Sequence, residues 1–106
     1  MKNVLLVCGT GASSGFMARK TSQAAKARGI DLTIKARSES ELLDYLDEVD
    51  IVLVGPHFKH MLKSIEDTAA DYNVPVRLID KDTYGNLDGD ALLDTIIEVL
   101  NLGEAS

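Results

Sequence analysis

A single thiol, Cys8, stands between the apolar run Val4-Leu5-Leu6-Val7 and the segment Gly9-Thr10-Gly11-Ala12-Ser13-Ser14-Gly15, after which the composition turns helical. Three glycines allow successive backbone N–H groups to curl inward without Cβ clashes, and such a concave array binds anions. A helix beginning there adds its unpaired N–H groups and the positive end of its dipole. The hydroxyls of Thr10, Ser13 and Ser14 are further donors, or one of them caps the helix. Beside such an array a thiol's pKa falls from about 8.5 to about 7 or below, which makes the thiolate dominant near neutrality. Donors that hold a thiolate can also hold phosphoryl oxygens carried on it. Cys8 is therefore the candidate nucleophile, and residues 9–15 are its candidate phosphate cradle. The plain alternative is a small buried hydrophobe at the end of an aliphatic strand. No Lys follows Gly15, so the loop is not a P-loop, and its glycine spacing does not match the dinucleotide fingerprint. With one cysteine there is no thioredoxin-like pair, disulfide framework or multi-thiolate metal site. No metal or other cofactor is expected.

The elements that must position this loop alternate between strand and helix. Val4–Val7 and Ile51–Val54 are continuously apolar, which suits central parallel strands covered on both faces. Leu32–Ala36 alternates apolar and polar residues and reads as a half-exposed edge strand. Val74–Ile79 gives a fourth strand, with Pro75 at its start. Between and after them come helical patterns: residues 14–28 stopping at Gly29, a short helix opened by the capping box Ser38-Glu39-Ser40-Glu41, a face of Phe58, Met61, Leu62, Ile65, Ala69 and Tyr72, and a closing helix along Leu92, Thr95, Ile96, Val99 and Leu100. Four such units predict a single-domain, three-layer α/β/α fold around a four-stranded parallel sheet of order 2-1-3-4. Ligands of such sheets bind at the carboxyl ends of the strands. Here that rim is built from residues 8–15, 55–58 and 80–88. The domain is expected over residues 1–102, with 103–106 a loose tail.

Length and composition agree with this. The chain has 106 residues, 45% of them apolar and 26% charged, and a formal charge of -6. That charge argues against a general nucleic-acid or anionic-membrane surface. The apolar run near the N-terminus is too short for a secretory h-region or a membrane span, so a cytoplasmic protein without direct membrane insertion is expected.

The segment Val4-Leu5-Leu6-Val7-Cys8-Gly9-Thr10-Gly11 followed by Ser13-Ser14 resembles the active loop of enzyme IIB of the phosphotransferase system (PTS), in the lactose/cellobiose (diacetylchitobiose) family. Ser38-Glu39-Ser40-Glu41-Leu42, Asp50-Ile51-Val52-Leu53-Val54-Gly55-Pro56 and Asp82-Thr83-Tyr84-Gly85 look like later blocks of the same family, in order along nearly the whole chain. The resemblance implies a phosphocarrier shared by two partners. Cys8 would take a phosphoryl group from a phosphohistidine on the IIA protein. It would then pass the group to a sugar, a β-linked disaccharide such as cellobiose, lactose or diacetylchitobiose, held by the membrane-embedded IIC permease. The protein would be a monomer recruited to the inner face of the membrane through IIC. Two positions depart from the family's habit: Ala12 where Met is common, and His57 where Gln is common.

The remaining candidates lie on the rim. His57 is either a titrating neighbour of the phosphocysteine or a solvent-facing residue of a first helical turn. Asp82, with Asp80, is either a general acid or a turn residue. Tyr84 either reaches toward the cradle or packs beneath it. His60 is expected on the surface. On the first helix Met17, Ala18, Thr21, Ala24 and Ala25 share a stripe that should face the sheet, which puts Phe16 on the other side near Cys8, either as a docking contact for IIA or IIC or folded under a neighbouring loop. A cysteine-dependent phosphatase is the rival enzyme. Low-molecular-weight tyrosine phosphatases also set Cys at a strand end before an anion-binding loop, in the same fold, but they clamp the phosphoryl group with an Arg six positions later, where this chain has Ser14. A non-enzymatic anion-binding module with an inert Cys8 is the third reading.

Overall fold

The computed structural model describes residues 2–7 and 12–101, the side chains of residues 12–14 excepted. Four parallel strands, β1 (Lys2–Val7), β2 (Leu32–Arg37), β3 (Ile51–Val54) and β4 (Val76–Leu78), form one sheet in the order β2-β1-β3-β4. The helices are α1 (Ala12–Ala27), α2 (Leu42–Tyr45), α3 (Leu62–Ala70), α4 (Lys81–Gly85) and α5 (Gly89–Leu100). The expected architecture and strand order are those observed.

Because β1 and β3 are covered on both faces, neighbouring residues of one strand belong to different cores. Val4 and Leu6 with Ile51 and Leu53 pack under α1 and α5, against Met17, Leu92 and Ile96. Leu5 and Val7 with Val52 and Val54 pack under α2 and α3, against Leu42, Leu46, Ile65 and Ala69. Each such aliphatic side chain contributes about 1.5–3 kcal/mol when fully buried. That is why these two strands read as unbroken apolar runs. Strand β2 sits at the edge, and most of its residues are only half-buried.

Local signals set the helix ends. Gly29 adopts φ +72°, and the bonds Gly29 N–H to Lys26 O (3.1 Å) and Ile30 N–H to Ala25 O (2.8 Å) make a Schellman close to α1. Ile30 then packs on the cluster of Ala24, Ala25 and Leu93. Asn73, at φ 58°, closes α3 in the same way, through Asn73 N–H to Ala70 O and Val74 N–H to Ala69 O. At the capping box Ser38 N–H donates to the Glu41 carboxylate at 3.3 Å, ahead of a 3₁₀ turn over Glu39–Glu41 that runs into α2.

Three expectations need correction. The first helix begins at Ala12 rather than residue 14, so Ser13, Ser14 and Gly15 belong to its first turn. The face drawn from Phe58 to Tyr72 is not one helix. Pro56–Met61 is 3₁₀, interrupted at Phe58 (φ -107°, ψ 21°), and α3 ends before Tyr72, which is exposed. Residues 80–88 hold α4, because the Asp80 carboxylate accepts from the N–H groups of Asp82 (3.0 Å) and Thr83 (3.3 Å) and so starts a helix. The expected tail, residues 103–106, lies outside the described residues.

Candidate active site at the carboxyl rim

The strands end level with one another. Val7 is in register with Val54 and with Arg37, and Val54 with Leu78. Gly55 N–H donates to Val7 O (3.0 Å) and Ile79 N–H to Val54 O (2.8 Å), so the chain leaves β3 and β4 still tied to the neighbouring strand. Val7 and Val54 are completely buried. Cys8 is bonded directly to Val7, and only residues 8–11 separate that buried strand end from the start of α1. The expected nucleophile Cys8 and the cradle residues Gly9, Thr10 and Gly11 lie outside the described residues. Of the rest of the expected cradle, Ala12, Ser13, Ser14 and Gly15 form the first turn of α1, whose N–H groups have no partner within the helix. That turn carries no acidic residue, so no side-chain charge there opposes an anion. Gly15 is exposed, and a Cβ added to it would meet nothing within 4 Å.

Across the rim, His57 and Tyr84 come together. Their rings meet edge to face, with centroids 5.8 Å apart and an interplanar angle of 77°. Both border an open cleft of about 490 Å³, with Pro56, Lys81, Asp82, Gly85 and Asn86 completing its wall. Tyr84 is only 5% exposed and belongs to the core cluster of Met17, Ala18 and Ile79, so it packs beneath the rim and shows His57 an edge. His57 is exposed, as its solvent-facing reading anticipated, yet it is held against a ring. Asp82 is exposed in the cleft, whereas the Asp80 carboxylate is occupied in capping α4. His60 is exposed and edges onto Phe58 at 5.9 Å. Phe16 is 58% exposed, while Met17, Ala18, Thr21, Ala24 and Ala25 are all buried, as their stripe required.

Two basic residues near the rim carried no sequence signal. Lys81 lines the cleft as the first residue of α4, and an exposed lysine after an aspartate looks like any turn. Arg37 ends β2, and its guanidinium is engaged by neighbouring groups. It donates from Nε to the Tyr45 hydroxyl at 2.8 Å and from Nη1 to the Ala36 carbonyl at 2.8 Å. The hydrogen bond to Tyr45 holds its pKa above the usual arginine value.

The sequence model of one family matches nearly the whole chain. That family, described as "PTS system, Lactose/Cellobiose specific IIB subunit", matches residues 3–95. The chain belongs to it. As a PTS IIB component of the lactose/cellobiose type it is a phosphotransferase. The oligo-beta-mannoside-specific EIIB component of Bacillus subtilis (strain 168) is 30% identical over 89 residues, 84% of this chain and 86% of that protein. The cellobiose-specific IIB component of Borrelia burgdorferi has a solution structure that superposes with a TM-score of 0.79 at 31% identity, covering 94% of this chain and 92% of that one. The lactose-specific EIICB component of Lacticaseibacillus casei is 26% identical over 96 residues, which are 89% of this chain but 17% of that longer protein. No helix among the described residues is long and apolar enough to cross a membrane.

Proposed function

We propose that this IIB component carries the phosphoryl group on Cys8, between a phosphohistidine of a IIA protein and a sugar held by a IIC permease. The observation that carries the reading is the position of the chain's one thiol: bonded to the buried end of β1, with the acid-free first turn of α1 beginning four residues later. In the first step the Cys8 thiolate attacks phosphorus, an S–P bond forms, the P–N bond breaks, and the leaving imidazole takes up a proton. In the second, a sugar hydroxyl attacks the same phosphorus, loses its proton, and the S–P bond breaks. The backbone N–H groups of residues 9–15 hold the phosphoryl oxygens in both steps. An Arg clamp is missing where a phosphatase has one, since Ser14 stands there. Slow attack by water suits a carrier. The protein works in the cytoplasm and meets the membrane through IIC.

The three relatives named above carry three different sugar names at 26–31% identity, in keeping with the sugar being chosen by the protein that binds it. A β-linked disaccharide is the proposed class. Incubation with phosphorylated IIA and intact-mass measurement test the carrier step. The wild type is expected to gain the mass of one phosphoryl group, stably, and Cys8→Ser to gain none. Release of inorganic phosphate from aryl phosphates without accumulation of the adduct would establish the phosphatase instead.

A further inference from the structure

Charge is distributed along this acidic chain very unevenly. Residues 1–30 contain Lys2, Arg19, Lys20, Lys26 and Arg28 and no Asp or Glu, whereas all seventeen acidic residues lie from Asp31 onward. Four of those five cations are on α1 or in its C-terminal close. Arg28 is engaged with α5, its guanidinium 2.7 Å from the Asp94 carboxylate and 3.2 Å from that of Asp90. Arg19, Lys20 and Lys26 are exposed and make no ion pair among the described residues.

The outward stripe of α1 is opposite its buried one. Phe16, Arg19, Gln23 and Lys26 follow one another at spacings of three, four and three, which stacks side chains on one helix face, and all four are exposed. An open groove of about 610 Å³ runs along this side, lined by Arg19, Ser22, Gln23, Lys26 and Ile34, so it reaches from α1 to the edge strand β2. The stripe starts two turns or less from the Cys8 loop and extends about 15 Å down the helix.

We propose that this face is a docking surface for an acidic protein, the phosphoryl donor, with Phe16 as its apolar anchor and Arg19 and Lys26 as its electrostatic guides. The inference rests on the carrier reading of Cys8. A donor that reaches Cys8 must cover the N-terminal end of α1, and a partner arriving from solution is the one whose encounter rate complementary charge accelerates. Residues 31–106 carry six Lys and Arg against all seventeen Asp and Glu, so attraction for an acidic donor is concentrated on α1 and also orients it. A lipid surface fits less well. Electrostatic anchoring to anionic lipid takes clusters of about four to eight cations, and this stripe has two.

The test measures both association and transfer with phosphorylated and unphosphorylated IIA from a lactose/cellobiose-type system, using wild type, Arg19→Glu, Lys26→Glu and Lys2→Glu. Lys2 lies at the other end of the sheet and controls for net charge. The second-order transfer rate of the wild type should fall about tenfold between about 50 and about 500 mM salt. Arg19→Glu and Lys26→Glu should each weaken IIA association and transfer about three- to tenfold at low salt, flatten the salt dependence, and leave the iodoacetamide reactivity of Cys8 unchanged. Equal effects of Arg19→Glu and Lys2→Glu, or retention of the wild type on phosphatidylserine vesicles with IIA binding untouched by either α1 substitution, overturn the docking surface. If IIA binds through α1 while no phosphoryl group reaches Cys8, the carrier reading fails and the surface stands. If transfer proceeds and the α1 variants behave as Lys2→Glu does, the surface fails and the carrier stands.

Discussion

For a nucleophile the decisive property is the fraction of thiolate at working pH, and Cys8 makes that measurable. A free thiol near pKa 8.5 is only a few per cent ionised at neutrality, and a position before a helix N-terminus draws it down. The rate of alkylation of Cys8 by iodoacetamide should therefore rise with pH along a curve whose midpoint lies below that of a free thiol. Its plateau should disappear in Cys8→Ser. A midpoint at or above that of a free thiol would make Cys8 the inert residue of the binding-module reading. Around it, the residue scale separates candidates that look alike in one dimension. Asp80 and Asp82 are two positions apart, yet one carboxylate caps a helix and the other faces the cleft. Tyr84 and His57 share a ring contact, yet one is core and the other is exposed.

At the scale of elements, the rim keeps its shape because the helices are seated closely on the sheet. One close approach is where α5 meets α1. A Cβ on Gly89 would lie 2.4 Å from the Lys20 carbonyl oxygen, so any side chain there forces the two backbones apart. Gly29 differs, since a Cβ there meets nothing within 4 Å but the backbone is left-handed at φ +72°. Gly29→Ala should cost about 1–2 kcal/mol, the left-handed penalty alone. Gly89→Ala should cost more, about 3 kcal/mol, because overpacking displaces α5 from α1. Urea unfolding of the two variants checks the order, and the reverse order would mean that α5 slides without loss. Several ends of these elements were legible in advance: Gly29 as the stop of α1, the capping box at Ser38, and the buried stripe from Met17 to Ala25. The 3₁₀ stretch from Pro56 was not. Its apolar residues recur at helical intervals, and periodicity alone does not distinguish a continuous α-helix from a 3₁₀ segment kinked at Phe58 before one. The close of α3 was missed for a similar reason. Asn73 reads as a polar surface residue until its positive φ shows that it ends the helix and leaves Tyr72 outside.

Across the whole molecule, two cores share one pair of strands. Leu5 and Leu6 are adjacent in β1 and fully buried, but they belong to clusters on opposite faces of the sheet. Neither cluster can dissolve without exposing a face of β1 and β3, so the two should melt together. Leu5→Ala and Leu6→Ala are each expected to lower global stability by about 2–5 kcal/mol. Far-UV circular dichroism and tyrosine fluorescence should still trace one coincident transition in each variant. Tyr45 packs against one core and Tyr84 within the other, so separate transitions would show the faces to be independent.

The strand order, the two-sided burial of the central strands and the singling out of Cys8 were all written in the linear sequence. Continuous apolar runs, edge-type alternation and glycine spacing are local patterns, and right-handed crossovers leave few ways to assemble them. Tertiary structure alone decided which rim residues meet. It set His57 against Tyr84, brought Lys81 to the cleft, turned Arg37 toward Tyr45, and drew α5 onto the Lys20 carbonyl. Those pairings join residues far apart in the chain or depend on how a turn closes, and no periodicity records a distance between elements. The same is true of the basic stripe on α1. Its charges can be counted in the sequence, but whether they are paired or left facing solvent depends on where the acidic helices come to rest.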